Sequence, residues 1–496
     1  MEFRLELAGL LGIGLFTSTA CSDAGRPDHT GVLSLGAQRP SSEIAWVPCT
    51  ATSNEECATI AVPVDWAHPE GEKFDLAIGR LPALEPENRI GVLLLNPGGP
   101  GSSGINFFIT GHRIPDTSIL RKRFDLVSWD PRGVARSHPI VCDASVILPM
   151  PDSFPRSERE YQEWLAYNAR LARNCRARTG PLYDHVDTPS TVRDMDAIRA
   201  ALGEEKISYY GASYGSQIGV NYAEEFPERV RAMALDSIVN HSVTSAFRFL
   251  KTKTEEFEGA FYEFVAWCGR TQECKLHGRD VAALWDELYA KAEAGTLIDP
   301  ATGEPLDEGW LLSELGFAVA AASASRWLAF ANRLSSLETG VPLAASRFMA
   351  DDEVYENGFH DFICQDWKFS IRNFHELDAY RRALEAMYPH THMQEHWFWI
   401  LTCLGSPIQT TNPQRRVSAP DAPPILLVTA KRDVTTPQAD AAAIHRQLKG
   451  SVLLQQDGVG HNQYLRNTCA RQYIETYLTT LVMPPKDTHC PSDFPP

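Results

Sequence analysis

The chain is 496 residues long, 44% apolar, and carries a formal net charge of −17. That length and apolar content suffice for a large buried core and for one catalytic unit with a sizeable insertion. The acidic balance, with no strongly basic stretch, excludes nucleic acid as the expected partner without naming a substrate.

At the N-terminus, Leu7 to Phe16 is apolar and too short to span a bilayer, but its length fits the central region of a signal peptide. Residues 1–20 are therefore expected to direct export. Ser18-Thr19-Ala20-Cys21 permits two readings: cleavage after the small Ala20, or lipid attachment to Cys21, which would tether the protein to a membrane. Glu2 and Glu6 around Arg4 make a poor positive start, and Ser18 stands where a lipidation signal has an aliphatic residue. Residues 21–42, rich in Gly, Ser and Pro, read as a flexible leader or tether.

A first core segment is expected over 43–240. Strands are predicted at Thr59 to Val64, Phe74 to Ile78, Val92 to Leu95 and Phe124 to Ser128. The third runs into Pro97-Gly98-Gly99-Pro100-Gly101-Ser102-Ser103-Gly104, a turn whose bare backbone can aim amide hydrogens into a cleft. This turn lacks the closing Gly-Lys-Ser/Thr of a phosphate loop, so no nucleotide is expected. The apolar run Lys206 to Tyr210 then meets Gly211-Ala212-Ser213-Tyr214-Gly215 and a helical stretch from Ser216. A serine pinned among small residues at a strand-to-helix turn has its hydroxyl exposed on a strained backbone, which makes Ser213 the candidate nucleophile. The amides of Tyr214 and of Gly99 or its neighbour Gly98 are the candidate oxyanion hole. Another strand is predicted at Arg231 to Leu235.

Over residues 241–416 helical periodicity replaces the strand pattern. Val281, Leu284, Trp285, Leu288 and Ala292 share a face, and Trp310 to Leu334 is a long Ala- and Leu-rich run. This segment reads as an inserted helical cap that governs access to the serine. The core resumes over 417–496. Pro424 to Ala430 is a strand followed by Asp433, the candidate orienting acid, and Val452 to Gln456 leads through Gly460 to His461, the candidate general base. The chain order Ser213, Asp433, His461 is that of an α/β-hydrolase, with a mostly parallel central sheet and helices on both faces. Asp433 also has an ordinary reading as a helix cap, and His461 is one of fifteen histidines; order and strand-end placement together favour catalysis.

With these motifs the chain resembles the secreted tripeptidyl aminopeptidases and related proline iminopeptidase-like α/β-hydrolases of bacteria. The resemblance rests on Asn96 to Gly104, on Trp129-Asp130-Pro131-Arg132-Gly133 with Ser137, and on Asp194 to Gly203 leading to the Ser213 motif. It continues in Phe226 to Val230, Leu235-Asp236, Ile363 to Trp367 and the segments bearing Asp433 and His461. The pattern departs at Ser237-Ile238-Val239-Asn240, where Gly-Val-Val-Asp is more usual. The resemblance implies a peptide substrate cut near its free N-terminus, with no metal or organic cofactor.

An aminopeptidase needs a carboxylate for the substrate's ammonium group, because a buried cation without a partner is strongly disfavoured. Asp366 is the candidate, with Glu353, Glu356 and Asp361 next. Asp130 and Arg132 read as structural braces. His390, His392 and His396 lack a ligand pattern, and no metal is expected. Without Cys21 the eleven cysteines leave ten, an even number that suits an oxidising destination, secreted or in the cell envelope. Closeness in sequence suggests the pairs 49–57, 142–175, 268–274, 364–403 and 469–490, although sequence does not fix connectivity. A carboxylesterase with the same triad, or a binding protein on the same fold, are the other classes, and oligomeric state is not legible.

Overall fold

The computed structural model describes residues 44–50, 55–148, 150–343, 354–356 (backbone only), 358–394 and 396–494. The expected signal segment, leader and Cys21 lie outside them. The strands in chain order are β1 (Val47–Pro48), β2 (Glu56–Pro63), β3 (Lys73–Leu81), β4 (Gly91–Asn96), β5 (Phe124–Trp129) and β6 (Val141–Asp143). They continue with β7 (Ile207–Ala212), β8 (Val230–Asp236), β9 (Val354–Glu356), β10 (Ile425–Arg432), β11 (Val452–Val459) and β12 (His489–Cys490).

Ten of them form one sheet in the order β1-β2-β3-β5-β4-β7-β8-β10-β11-β12. From β5 to β12 all neighbours run parallel, while β1, β2 and β3 add an antiparallel edge. Every residue of β4 and β7 is buried, as expected of strands covered on both faces. The two-residue period sorts their side chains. Val92 and Leu94 join one core, which includes Val192 and Met195 of helix Thr188–Ala201 and Ile218 of helix Tyr214–Glu225. Leu93 and Leu95 join a second core with Leu120 and with Ile474 and Leu478 of helix Thr468–Thr480. Helices therefore cover both faces.

Among the described residues between β8 and β10 the named elements are helices apart from β9, which pairs with β6 in a separate two-stranded sheet. The five apolar positions read on one face are all buried on helix Val281–Glu293. The run expected from Trp310 to Leu334 is two helices, Glu308–Ala320 and Ala324–Thr339, because the Ser323 hydroxyl accepts the Arg326 amide and starts a new helix. The cap layer also draws on helix Glu158–Thr179, from between β6 and β7. Its Asn168 side chain donates to the carbonyls of Leu401 and Leu404 at 2.7 Å, and its Trp164 ring packs on Phe398. The sequence signal in 241–416 does not reveal this second contribution.

The five disulfides are Cys49–Cys57, Cys142–Cys175, Cys268–Cys274, Cys364–Cys403 and Cys469–Cys490, the pairs that closeness in sequence suggests. Among the described residues no helix is long and apolar enough to cross a membrane.

Candidate active site

The strand order reverses between β4 and β7: the chain builds outward to β5 on one side and to β8 on the other. Loops leaving the carboxyl ends of such a pair diverge and leave a crevice, the usual place for a ligand in a parallel sheet. The loop after β4 is the glycine-rich turn, and the residue after β7 is Ser213.

Ser213 has φ 56° and ψ −125°, left-handed backbone that costs on the order of 1–3 kcal/mol for a residue with a side chain. The surroundings hold it there. Its amide donates to the Asp236 carbonyl at 2.9 Å, and its carbonyl accepts the Ser216 hydroxyl at 2.6 Å. Glycine is required at 211, since a Cβ there would lie 2.4 Å from the Gly215 carbonyl oxygen.

Gly98 presses against this elbow. With φ at 94°, a Cβ on it would fall 2.7 Å from the Tyr214 amide nitrogen and 2.9 Å from the Ser213 Cβ. The Gly98 amide already donates to Asn96 Oδ1 at 2.9 Å, which leaves that of Gly99. Among the described residues neither the Gly99 nor the Tyr214 amide has a protein acceptor. Tyr214 opens a helix, so its amide lacks an intrahelical partner and sits at the positive end of the helix dipole. Asp130 braces the loop from beneath: its carboxylate accepts the Ser103 hydroxyl and the Ile105 amide and pairs with Arg136 at 3.1 Å. Arg132 forms a buried fork with Asp194 at 2.6 and 2.7 Å and reaches the Val64 and Pro63 carbonyls. Both residues hold loops, and neither lines the pocket that contains Ser213.

Asp433 follows β10 and is fully buried. Its carboxylate accepts the Thr435 and Thr436 amides at 3.0 and 2.9 Å and the Thr436 hydroxyl at 2.7 Å. His461 Nδ1 lies 3.0 and 2.9 Å from its two oxygens. Burial pushes the Asp433 pKa up, but His461 and the Thr436 bonds outweigh it and hold the group below the usual carboxylate value. With Nδ1 turned to Asp433, the ring presents Nε2 on its opposite side. The His461 backbone is fixed by its amide on the Ala320 carbonyl and by Arg466 Nε on its own carbonyl, at 2.9 and 2.7 Å.

Ser213, Thr435 and Thr436 line one pocket with Val239, Asn240 and Asp440 from the core and Phe249, Lys253, Trp367, His396 and Trp399 from the cap. The Phe249 ring centroid is 5.6 Å from Trp367 and 5.9 Å from Trp399. The buried Lys253 ammonium donates to the Thr435 carbonyl at 2.5 Å and sits 4.8 Å from the Phe249 centroid. Asp440 Oδ1 accepts Asn240 Nδ2 at 3.0 Å, while Oδ2 takes no donor among the described residues. Asp440 and Lys253 carry no signal in the sequence that links them to Ser213: each falls on a helix where a charge reads as a cap or a solvated face.

Asp366 is a correction. It does not line the pocket, although its neighbour Trp367 does. Its buried carboxylate accepts the Thr188 amide at 3.0 Å, Asn412 Nδ2 at 2.9 Å, Gln217 Nε2 at 3.3 Å, and the Thr188 and Tyr214 hydroxyls. Five donors leave no room for a substrate ammonium. Burial, then the charge of Asp187, raises its pKa to about 6. Asp361, one of the fallbacks, is also fully buried and paired with His360 at 3.1 Å; Glu353 and the Glu356 side chain lie outside the described residues. His390 pairs with Asp286, the His392 ring packs on Tyr289 and His396 Nδ1 meets the Gln394 side chain, so the three cap histidines point to different partners.

Residues 389–490 match the family described as TAP-like protein. Over 485 residues the chain is 30% identical to tripeptidyl aminopeptidase of Streptomyces lividans, covering 93% of this chain and 89% of that one. The chain belongs to the tripeptidyl aminopeptidase-like family of serine hydrolases. Other members include serine protease Hip1 of Mycobacterium tuberculosis, 31% identical over 90% of this chain and 91% of its own. Carboxylesterase B of the same organism is 30% identical over 88% and 86%. Among solved structures, proline iminopeptidase of Mycobacterium smegmatis aligns over 86% of this chain and 97% of that one at 12% identity and a TM-score of 0.37, too slight a likeness to bear on function.

Proposed function

We propose that the protein is an exported aminopeptidase of this family that releases short N-terminal pieces through an acyl-enzyme on Ser213. His461 takes the Ser213 proton as Oγ attacks the scissile carbonyl. Asp433 holds the ring and stabilises the imidazolium, and the Tyr214 and Gly99 amides receive the oxyanion. The imidazolium then protonates the leaving amine, and water, deprotonated by the same ring, releases the acyl group and restores the serine. Five disulfides support an oxidising destination outside the cytoplasm.

The observation that carries the aminopeptidase reading is Asp440. It is a buried carboxylate in the same pocket as Ser213, with one oxygen held by Asn240 and the other without a donor among the described residues. Burial holds its pKa above the usual carboxylate value, and the Lys253 cation pulls it only part of the way back. Phe249, Trp367 and Trp399 suit a cation in the same space. Covalent labelling of Ser213 by a fluorophosphonate, together with hydrolysis of a peptide arylamide that Ser213→Ala abolishes, tests the nucleophile. Absence of label on Ser213 contradicts it. The likeness to carboxylesterase B supports a second reading, an esterase with the same triad. Faster turnover of acyl esters than of free-amine arylamides favours that reading.

A further inference from the structure

We infer that Asp236 and Ser237 are positioning residues, one dipeptide that ties the histidine loop to the nucleophile elbow and so sets how His461 meets Ser213. This rests on the Ser213 and His461 reading above.

Asp236 ends β8, the strand between the one that delivers Ser213 and the one that delivers Asp433. Its carbonyl accepts the Ser213 amide at 2.9 Å, on the elbow side. On the histidine side its Oδ2 accepts the Tyr464 amide, three residues past His461, at 2.8 Å. The same oxygen takes the Tyr210 hydroxyl at 2.9 Å, back on the nucleophile strand. Ser237 adds a second strap: its hydroxyl accepts the Asn462 amide at 2.8 Å and donates to Asp236 Oδ1 at 3.3 Å, while its own amide is pinned to the Val428 carbonyl of β10. One residue pair thus touches two of the strands that carry the proposed triad, β7 and β10, and the segment after β11 that carries its histidine.

The backbone at 237 makes the hydroxyl's role plain. Ser237 has φ 57°, a conformation that glycine adopts without a Cβ penalty. A fully buried serine persists there with its oxygen spent on the residue beside His461. Asp236 is equally buried, and no cationic side chain among the described residues pairs with it. Burying an unpaired carboxylate is costly unless its oxygens are well bonded, and here the bonds go to the loop and the elbow.

The test is the second-order rate of Ser213 labelling by a fluorophosphonate, with kcat and KM on one arylamide and the melting temperature of each variant. Ser237→Gly removes the strap and relieves the backbone. Asp236→Asn keeps one acceptor for the Tyr464 amide. Each is expected to lower labelling and kcat about tenfold, the scale of one lost hydrogen bond at a site that tolerates little displacement, with KM and melting temperature unchanged. The double variant is expected to fall short of the product of the two losses, because both act on one loop. Labelling and kcat within twofold of wild type in both variants overturn the tie. So does a loss that only tracks a lower melting temperature. Failure of the wild type itself to label at Ser213 instead overturns the reading on which the tie rests.

Discussion

The Gly98 Cα and the Tyr214 amide are so close that a single methyl group on Gly98 would sit 2.7 Å from that nitrogen. The loop after β4 and the start of the nucleophile helix therefore form one wall, with no slack between them.

Gly98→Ala is expected to push the loop off the elbow, since the backbone at φ 94° and the contacts with Ala212, Ser213 and Tyr214 all oppose a side chain. The loss in kcat should be on the order of 10²–10³, that of an oxyanion donor, with smaller change in KM. Steady-state kinetics beside a circular dichroism melt check it. Unchanged kcat would place the oxyanion donors elsewhere.

Much of this site is legible in the sequence because local backbone chemistry dictates it. The elbow at Gly211 to Gly215, the glycine-rich turn, and the strand ends before Asp433 and His461 are short-range patterns. Their order along the chain is as informative as their composition. What is not legible depends on packing across hundreds of residues. Asp366 sits in a segment that promises a functional carboxylate, yet its five donors come from residues 188, 214, 217 and 412. Asp440 and Lys253 meet in the pocket from two helices far apart in the chain, and only the fold brings them to Ser213.

Asp440→Asn is expected to cost on the order of 2–5 kcal/mol in kcat/KM for free-amine peptides, the range for truncating one partner of a desolvated charge pair. Amine-free esters should be nearly unaffected. Equal losses on both substrates would assign Asp440 to holding Asn240 and the pocket wall.

Asp366 makes a pH signature. Its pKa is raised from 3.8 to about 6 in the folded protein, so the native state binds a proton more tightly than the unfolded chain. Its contribution is fully present below pH 3.8 and is lost as the pH rises through about 6, amounting to about 3 kcal/mol. Denaturant titrations between pH 4 and 7 should show this slope in the wild type and its loss in Asp366→Asn. That variant should also lower turnover of amine-bearing and amine-free substrates alike, through stability. An unchanged slope would contradict the burial argument.

Denatured, unreduced protein is expected to titrate with no free thiol beyond Cys21, since the other ten cysteines are paired. Recovery of several thiols from the native compartment would remove the support for an oxidising destination.

The central claim is that Ser213 cuts a peptide whose free N-terminus is read in the pocket. Mass spectrometry of products from one peptide, offered with a free and with an acetylated N-terminus, tests it most directly. The account predicts short N-terminal fragments released in succession from the free peptide, little cleavage of the acetylated one, and neither with Ser213→Ala. Internal cleavage, or equal cleavage of both forms, would contradict it.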